Sequence, residues 1–473
     1  MLFNSLQFAA FLPLVLAIYY SLSHTRQNTF LLIASCFFYA CWDWRFLVPL
    51  LFSTCIDYHC AARMQALAAA GEPHHKARKY LALSVSTNIG LLAFFKYFNF
   101  FAASLQDLLH VVHLDANLGT FRVILPVGIS FYTFQALSYT VDVYRGELHS
   151  TRNFRDFLLA VLYFPHLVAG PIQRANSLLP QVTAPRVITE AKLRDGLHLI
   201  FWGFFKKVFI ADNLAPIVSQ AFSAPSPAGF DTLLGIYAFA FQIYCDFSGY
   251  TDIARGVAKI MGFELMLNFN LPYLATSPAD FWSRWHISLS SWLRDYLYIP
   301  LGGNRGGTYK TCRNLMLTMA IGGLWHGAAW NFVLWGFYHG SLLILHRLTA
   351  PWLTIFDARS PAGRALSRAT RVFCMFQLTC FGWLLFRAGS FHQIATMTKA
   401  LAHPLAGFDG DTAVRVALII SPLLVAQAIQ FLSKKLEFLA GVPSEVRVVV
   451  YSVFAYFVLF LGGQPQAFIY FQF

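Results

Sequence analysis

Ile321-Gly322-Gly323-Leu324-Trp325-His326-Gly327-Ala328-Ala329-Trp330 places a lone histidine between tryptophans and small residues inside a hydrophobic segment. An imidazole is costly where hydrocarbon or packed protein must surround it, so an ionisable group at such a position is a functional-site candidate by default. A neutral imidazole in that setting can serve as a general base. The same ring could instead hydrogen-bond a neighbouring helix and only hold a bundle together, and the segment alone leaves both readings open.

Working outward, the composition says what kind of chain surrounds this histidine. Of 473 residues, 57% are hydrophobic, 17% aromatic and only 12% charged, with a mean hydropathy of +0.54. Repeated apolar runs of membrane-spanning length follow, and a polytopic membrane protein is expected. The formal charge of +13 invites a nucleic-acid reading. Lys and Arg, however, fall mainly in short loops between apolar runs, the positive-inside pattern, so the charge reports topology and contact with the lipid bilayer, not nucleic acid. Eight cysteines show neither zinc-like spacing nor a secreted disulfide frame and read as small hydrophobes. No metal site is expected. The start, Met1-Leu2-Phe3-Asn4-Ser5-Leu6, lacks a basic n-region, so the first apolar run is expected to remain as a membrane helix.

Apolar runs occur at roughly 6–23, 29–42, 45–60, 82–104, 121–143, 155–170, 195–212, 228–245, 250–264, 314–346, 371–387, 413–432 and 448–463. They give on the order of ten to thirteen helices, several too short to cross ~30 Å of hydrocarbon, so re-entrant or broken helices are expected. The loop 61–80, with Arg63, Lys76, Arg78 and Lys79, is expected in the cytoplasm. So are Arg145, Arg152 and Arg155, the loop 347–371 with Arg347, Arg359, Arg364, Arg368 and Arg371, and Lys434, Lys435 and Arg447. The loop 105–120, carrying Asp107 and Asp115, should face outward. No internal repeat or linker interrupts the chain, and one domain over 1–473 is expected.

Three stretches depart from the plain apolar pattern. Asp246-Phe247-Ser248-Gly249-Tyr250-Thr251-Asp252 sets two carboxylates and a glycine at a predicted break between runs, where they either line a polar cavity or cap a helix end. Ser277 as N-cap, Pro278 at N1 and Asp280 at N3 start a helix. Helical spacing along it stacks Trp285, Leu289, Trp292 and Tyr296 on one face and gathers Asp280, Arg284, Ser288, Ser291 and Asp295 on another. That helix could lie flat at the membrane surface, or line an aqueous funnel with His286 aimed inward. Gly302-Gly303-Asn304-Arg305-Gly306-Gly307 could hold a phosphate on backbone N–H groups and Arg305, or simply turn between two helices. An arm taken as 314–325 reaches ~18 Å as a helix and puts His326 near the midplane.

Asp280-Phe281-Trp282-Ser283-Arg284-Trp285-His286-Ile287-Ser288-Leu289-Ser290, Gly302 to Gly307 and Gly323 to Ala328 together resemble the signature core of the bacterial membrane-bound O-acyltransferase (MBOAT) family, in particular its alginate O-acetylation branch. Pro126-Val127-Gly128-Ile129-Ser130-Phe131-Tyr132, Phe164-Pro165-His166-Leu167-Val168-Ala169-Gly170-Pro171 and Asp246 to Tyr250 extend the likeness over most of the chain. The resemblance implies an all-α fold of roughly eleven transmembrane helices, with re-entrant and interfacial helices around a central funnel, and a catalytic core over about 121–346. It implies transfer of an acyl group from a cytoplasmic thioester, acetyl-CoA or a carrier-bound group, across the bacterial inner membrane to an envelope polymer. An alginate-like polysaccharide would be reached through a periplasmic SGNH-type acetyltransferase partner. His326 then matches the catalytic histidine and His286 the second active-site position, while Arg284, Trp285, Asn304 and Arg305 become candidates for holding the donor.

Gly462-Gly463 and Pro465 break the last helix, so the aromatic segment 464–473 could turn back into the protein. It resembles the terminal motif of MBOAT proteins that hand their acyl group to a separate transferase, which implies that Tyr470 carries a transient ester. An interfacial anchor is the other reading. Peptidoglycan or teichoic acid as acceptor polymer, and a non-enzymatic transporter or flippase, remain as alternatives.

Overall fold

The computed structural model of the chain describes residues 1–114, 123–168, 170–353 and 360–471. Among these residues there is no strand; the protein is all-α. Asp115, Ala169, Arg359, Gln472 and Phe473, which fall within the expectations above, lie outside the described residues. Two compact units form: Met1–Leu197 with Ala254–Met266, and His198–Ile253 with Leu267–Phe473. Among the described residues, four helical stretches are long and apolar enough to cross a membrane: His24–Ala69, His74–Val111, Pro361–Arg387 and Gly410–Ser433. This is a multi-pass membrane protein.

In the first unit, the helix Ile129–Arg145 is buried along nearly its whole length, between left-handed glycines at Gly128 (φ +78°) and Gly146 (φ +76°). Gly128 is required twice over. Its φ is positive, and a β-carbon there would overlap the carbonyl of Leu167. The motifs at 126–132 and 164–168 therefore interlock through backbone. The buried carboxylate of Asp57 is answered within this unit: it accepts from Ser84 Oγ at 2.6 Å and Asn88 Nδ2 at 2.8 Å, as a carboxylate among helices requires. The helix Phe98–Val111 includes Asp107, so the loop expected from 105 begins later.

The second unit corrects several sequence expectations. Residues 229–260 form one helix of 32 residues, with no break at 246–252. The carboxylates do not cap an end, because lysines on a neighbouring segment satisfy them sideways. Gly249 is no breaker either. It faces Gly203, whose carbonyl a β-carbon at 249 would press, so the glycine serves close packing of two backbones.

The amphipathic stretch 278–296 is also not one helix. Pro278–Arg284 and Ile287–Leu293 are separate seven-residue helices, with His286 at φ +44° between them. Ser277 does cap the first, accepting from the Asp280 N–H at 3.1 Å. Basic residues expected in a loop at 347–371 sit within helices instead, Arg347 in Trp330–Leu353 and Arg364, Arg368 and Arg371 in Pro361–Arg387.

The run 314–346 is a hairpin of two helices, Thr308–His326 and Trp330–Leu353, separated by Gly327-Ala328-Ala329. Their backbones approach at Gly323, Gly336 and Gly340: β-carbons there would overlap the Phe332 carbonyl, the Met319 carbonyl and the Met316 side chain. The first arm has 19 residues, about 28 Å at 1.5 Å per residue. It is longer than the arm assumed from sequence, so its length no longer sets His326 at the midplane. His326 is its last residue. Three of the cysteines are buried (Cys60, Cys245 and Cys380), and all eight are free thiols.

Candidate active site

His326 ends its helix because the chain becomes extended at Gly327, where a side chain would collide with the Phe332 ring. That stop leaves the imidazole packed against Trp325, Trp335 and Phe386, with ring centroids 5.1, 5.0 and 5.5 Å away. His286 arrives from a different element. Its left-handed backbone is imposed by tertiary pairing: Asn270 N–H donates to the Arg284 carbonyl at 2.9 Å, and Ile287 N–H to the Asn268 carbonyl at 3.0 Å. The resulting turn buries His286 completely. Such strain at a non-glycine residue persists where surroundings over-determine it.

Asn268 also fixes the chemistry of that ring. Its Oδ1 accepts the backbone N–H of Ser288 at 3.1 Å and the Ser288 hydroxyl at 2.7 Å, so the atom must be the amide oxygen. Nδ1 of His286 lies 3.3 Å from the same oxygen and can bond to it only as a donor. The proton therefore sits on Nδ1, and Nε2 is the basic nitrogen. Nothing in the local sequence announces Asn268, which precedes His286 by eighteen positions.

The third group comes from the segment after the last long helix, Ser444–Phe460. Phe468 and Ile469 are buried, and Tyr470 is half-buried. The Tyr470 ring lies 5.8 Å from that of His326 and 6.2 Å from that of His286, and the two imidazoles are 6.2 Å apart. Phe247 ties them together, 4.4 Å from Tyr470 and 4.8 Å from His286. Two imidazoles and a phenol thus converge from residues 286, 326 and 470.

A cavity of about 420 Å³ reaches this cluster at His326 and Trp335. Leu315, Thr318, Met319, Gly322 and His326 line one side of it, all on one face of their helix. The first and last are eleven positions apart, about 16 Å of helix. Arg294 and Tyr298 line it as well. The cavity is largely apolar, and His326 is part of its lining.

The other candidates are placed apart from the three rings. Arg284 pairs with Asp280 at 2.6 Å and donates to the Asn270 carbonyl at 3.2 Å, bracing the turn under His286. Burial alone would raise the Asp280 carboxyl. The Thr276 N–H and the Arg284 guanidinium outweigh it and hold the group below its ordinary range. Trp285 is buried, nearly parallel to Phe281 and 4.7 Å from Trp383. Asn304 and Arg305 are exposed on the glycine turn, where Gly302, Gly303, Gly306 and Gly307 all have positive φ and Asn314 Nδ2 donates to the Gly303 carbonyl at 3.0 Å.

A charge cluster beside the site was not anticipated, because nothing near Lys206-Lys207 in sequence shows which carboxylates meet them. Both lysines are buried in a wide helical turn, Phe205–Ala211. Lys206 Nζ meets Asp252 at 2.6 Å and Ser248 at 2.9 Å. Lys207 Nζ meets Asp246 at 2.6 Å and Asp212 at 2.8 Å. Among the described residues, no group of three or more His, Cys, Asp or Glu is arranged to hold a metal ion.

Residues 38–386 match the family described as MBOAT, membrane-bound O-acyltransferase family. The chain belongs to the MBOAT family. This MBOAT protein is similar to the protein named probable alginate O-acetylase AlgI of Azotobacter vinelandii, 44% identical over 378 residues that cover 80% of this chain and 73% of the relative. The namesake in Pseudomonas aeruginosa is 42% identical over 391 residues, 83% of this chain and 72% of the relative. A peptidoglycan O-acetyltransferase of Helicobacter pylori is 34% identical over 434 residues, covering 85% and 80%. The MBOAT protein is therefore a membrane acyltransferase, which removes the non-enzymatic transporter reading. His286 and His326 lie inside the matched region, and Tyr470 lies beyond it.

Proposed function

We propose that the chain moves an acetyl group from a cytoplasmic thioester donor, acetyl-CoA, across the bacterial inner membrane for O-acetylation of an alginate-like exopolysaccharide, working as one domain over 1–473. The single observation that carries this reading is the convergence of His286, His326 and Tyr470 within 6.2 Å of one another, ring to ring, where the cavity reaches His326. The relatives named for alginate O-acetylation support the acceptor class.

The phenolic oxygen of Tyr470 attacks the thioester carbonyl carbon. A C–O bond forms, the C–S bond breaks, the phenolic proton passes to a histidine nitrogen at His326, and that proton then neutralises the departing thiolate. A hydroxyl on a periplasmic SGNH-type acetyltransferase takes the acetyl group from the tyrosyl ester and restores the phenol. Thioesters need less activation than amides, so a base with positioned dipoles suffices. Asn304 and Arg305, exposed on the glycine turn, meet the donor's phosphates, while Arg284 and Trp285 support the His286 turn.

The test is mass spectrometry of the purified protein after incubation with carbon-13 acetyl-CoA. A labelled peptide containing Tyr470, lost in Tyr470→Phe, is expected. Full polymer acetylation in cells carrying Tyr470→Phe would exclude the relay. A second acceptor, peptidoglycan, is favoured by one observation, the alignment with the Helicobacter pylori protein over 85% of this chain. Analysis of acetylated polymers in a deletion strain separates the two.

A further inference from the structure

The segment carrying Tyr470 is held by its backbone, and by charges. Lys207 Nζ donates to the Gln466 carbonyl at 3.0 Å, and Asp246 Oδ2 accepts the Ile469 N–H at 2.7 Å. Lys207 and Asp246 are themselves paired at 2.6 Å, and Asp212 pairs with the same ammonium. All three side chains are 2–3% exposed. Further back, the Gly463 N–H donates to the Val208 carbonyl at 3.0 Å and Asn213 Nδ2 to the Leu461 carbonyl at 2.7 Å. Gly463 must be glycine for this, since a β-carbon would overlap the backbone of Asp212 and Asn213. The segment thus lies directly on residues 207–213, backbone against backbone.

Buried charges this close are costly unless every lone pair and proton is used. Here part of the demand is met by main-chain atoms of the segment itself. Gln466 supplies an acceptor and Ile469 a donor, three residues apart. One residue after the second contact stands Tyr470, its ring against Phe247, the neighbour of Asp246 in sequence. The Asp246-Phe247 pair therefore fixes two consecutive positions, the backbone of 469 and the ring of 470.

We propose that Lys207, Asp246 and Asp212 form a clamp that reads the backbone of 463–469 and so positions Tyr470 against His286 and His326; this rests on the reading of Tyr470 as the acyl carrier. None of the three touches the reacting atoms. They are positioning residues, and they act through the segment they hold. A misplacement of ~1 Å at a reacting group can lower a rate by about 10²-fold, so releasing the clamp cuts acyl arrival on Tyr470 without weakening donor binding.

The experiment compares the full chain in detergent with Lys207→Met, Lys207→Arg and Ile469→Pro. Ile469→Pro removes the N–H given to Asp246 and leaves the buried charges intact, so it decides the matter if Lys207→Met fails to fold. Two readouts are taken: hydrogen exchange of the peptide spanning 462–471, and the initial rate and donor KM of carbon-13 acetyl arrival at Tyr470. Expected is faster exchange of that peptide in Lys207→Met and, at its remaining amides, in Ile469→Pro. The acylation rate of both should fall by about 10²-fold at unchanged donor KM, with substantial recovery in Lys207→Arg. Wild-type protection of the segment in Lys207→Met, or a wild-type acylation rate with the segment released, overturns the clamp. If the wild type takes up no label at Tyr470, the carrier reading and the positioning role fall together, and the exchange data then show whether the docking contacts exist at all.

Discussion

Replacing His326 by glutamine separates its chemistry from its packing. The imidazole is 96% buried among Trp325, Trp335 and Phe386, so alanine would open a void and add a packing cost on the order of 2–5 kcal/mol. Glutamine is closer in volume, and its amide can hydrogen-bond but cannot accept and return a proton near neutral pH. The residual structural cost is at most about 1–3 kcal/mol, for an amide left without a partner. A general base contributes about 10²–10⁴-fold, or roughly 3–5 kcal/mol at 1.36 kcal/mol per decade. His326 is one of many residues lining the 420 Å³ cavity, so the donor's contacts are largely kept. The expected outcome is a single-turnover acylation rate lowered by about 10²–10⁴-fold with a nearly constant dependence on donor concentration, measured as release of free thiol from acetyl-CoA by the purified protein. A rate within about threefold of wild type, on the scale where a tenfold change is 1.36 kcal/mol, would refute the assignment of His326 as the base.

Three further outcomes follow from the geometry. Asn268→Leu removes the acceptor that holds the His286 proton on Nδ1, and kcat should fall by less than the ~10²–10⁴-fold expected for loss of a base, with recovery in Asn268→Asp, which keeps the acceptor oxygen; equal activity in all three proteins would show that the tautomer is immaterial. Arg305→Ala should raise the KM for acetyl-CoA several-fold and leave kcat alone, the signature of a contact equal in ground and transition states, and an unchanged KM would remove the glycine turn from donor binding. Asp280 has a depressed pKa in the folded protein, so its contribution is present above the unfolded carboxylate range and is lost as pH falls through the folded value; Asp280→Asn should flatten that part of the acid limb in thermal unfolding of the solubilised protein.

The histidines and the capped start at Ser277 were legible because each is anomalous against its surroundings, an imidazole among tryptophans or a Ser-Pro-x-Asp sequence before an apolar face. The helix read across 278–296 failed for a tertiary reason. Its spacing is helical throughout, but residues 268–270 pair with 284–287 and pull the chain out of the helix at His286, and such a contact leaves no local trace. The break read at 246–252 failed in the opposite direction. Carboxylates, hydroxyls and a glycine look like a helix end when only neighbours in sequence can answer them. The answer comes from Lys206 and Lys207, some forty residues earlier, inside another apolar run.

These two misreadings share a physical cause that bears on how the site is built. Burial of apolar surface is non-directional; it brings helices together but does not fix one ring against another to within an ångström. Hydrogen bonds and ion pairs have defined distances and angles, and in a chain with 12% charged residues those buried inside apolar runs are few. Three such groups here, the amide of Asn268 and the charges of Lys207 and Asp246, end on the backbone or ring of a segment carrying His286 or Tyr470. A paired charge in the middle of an apolar helix is therefore better read as an address for another part of the chain than as the end of its own helix, and for this protein Lys207 and Asp246 address the segment that sets the Tyr470 ring beside the two imidazoles.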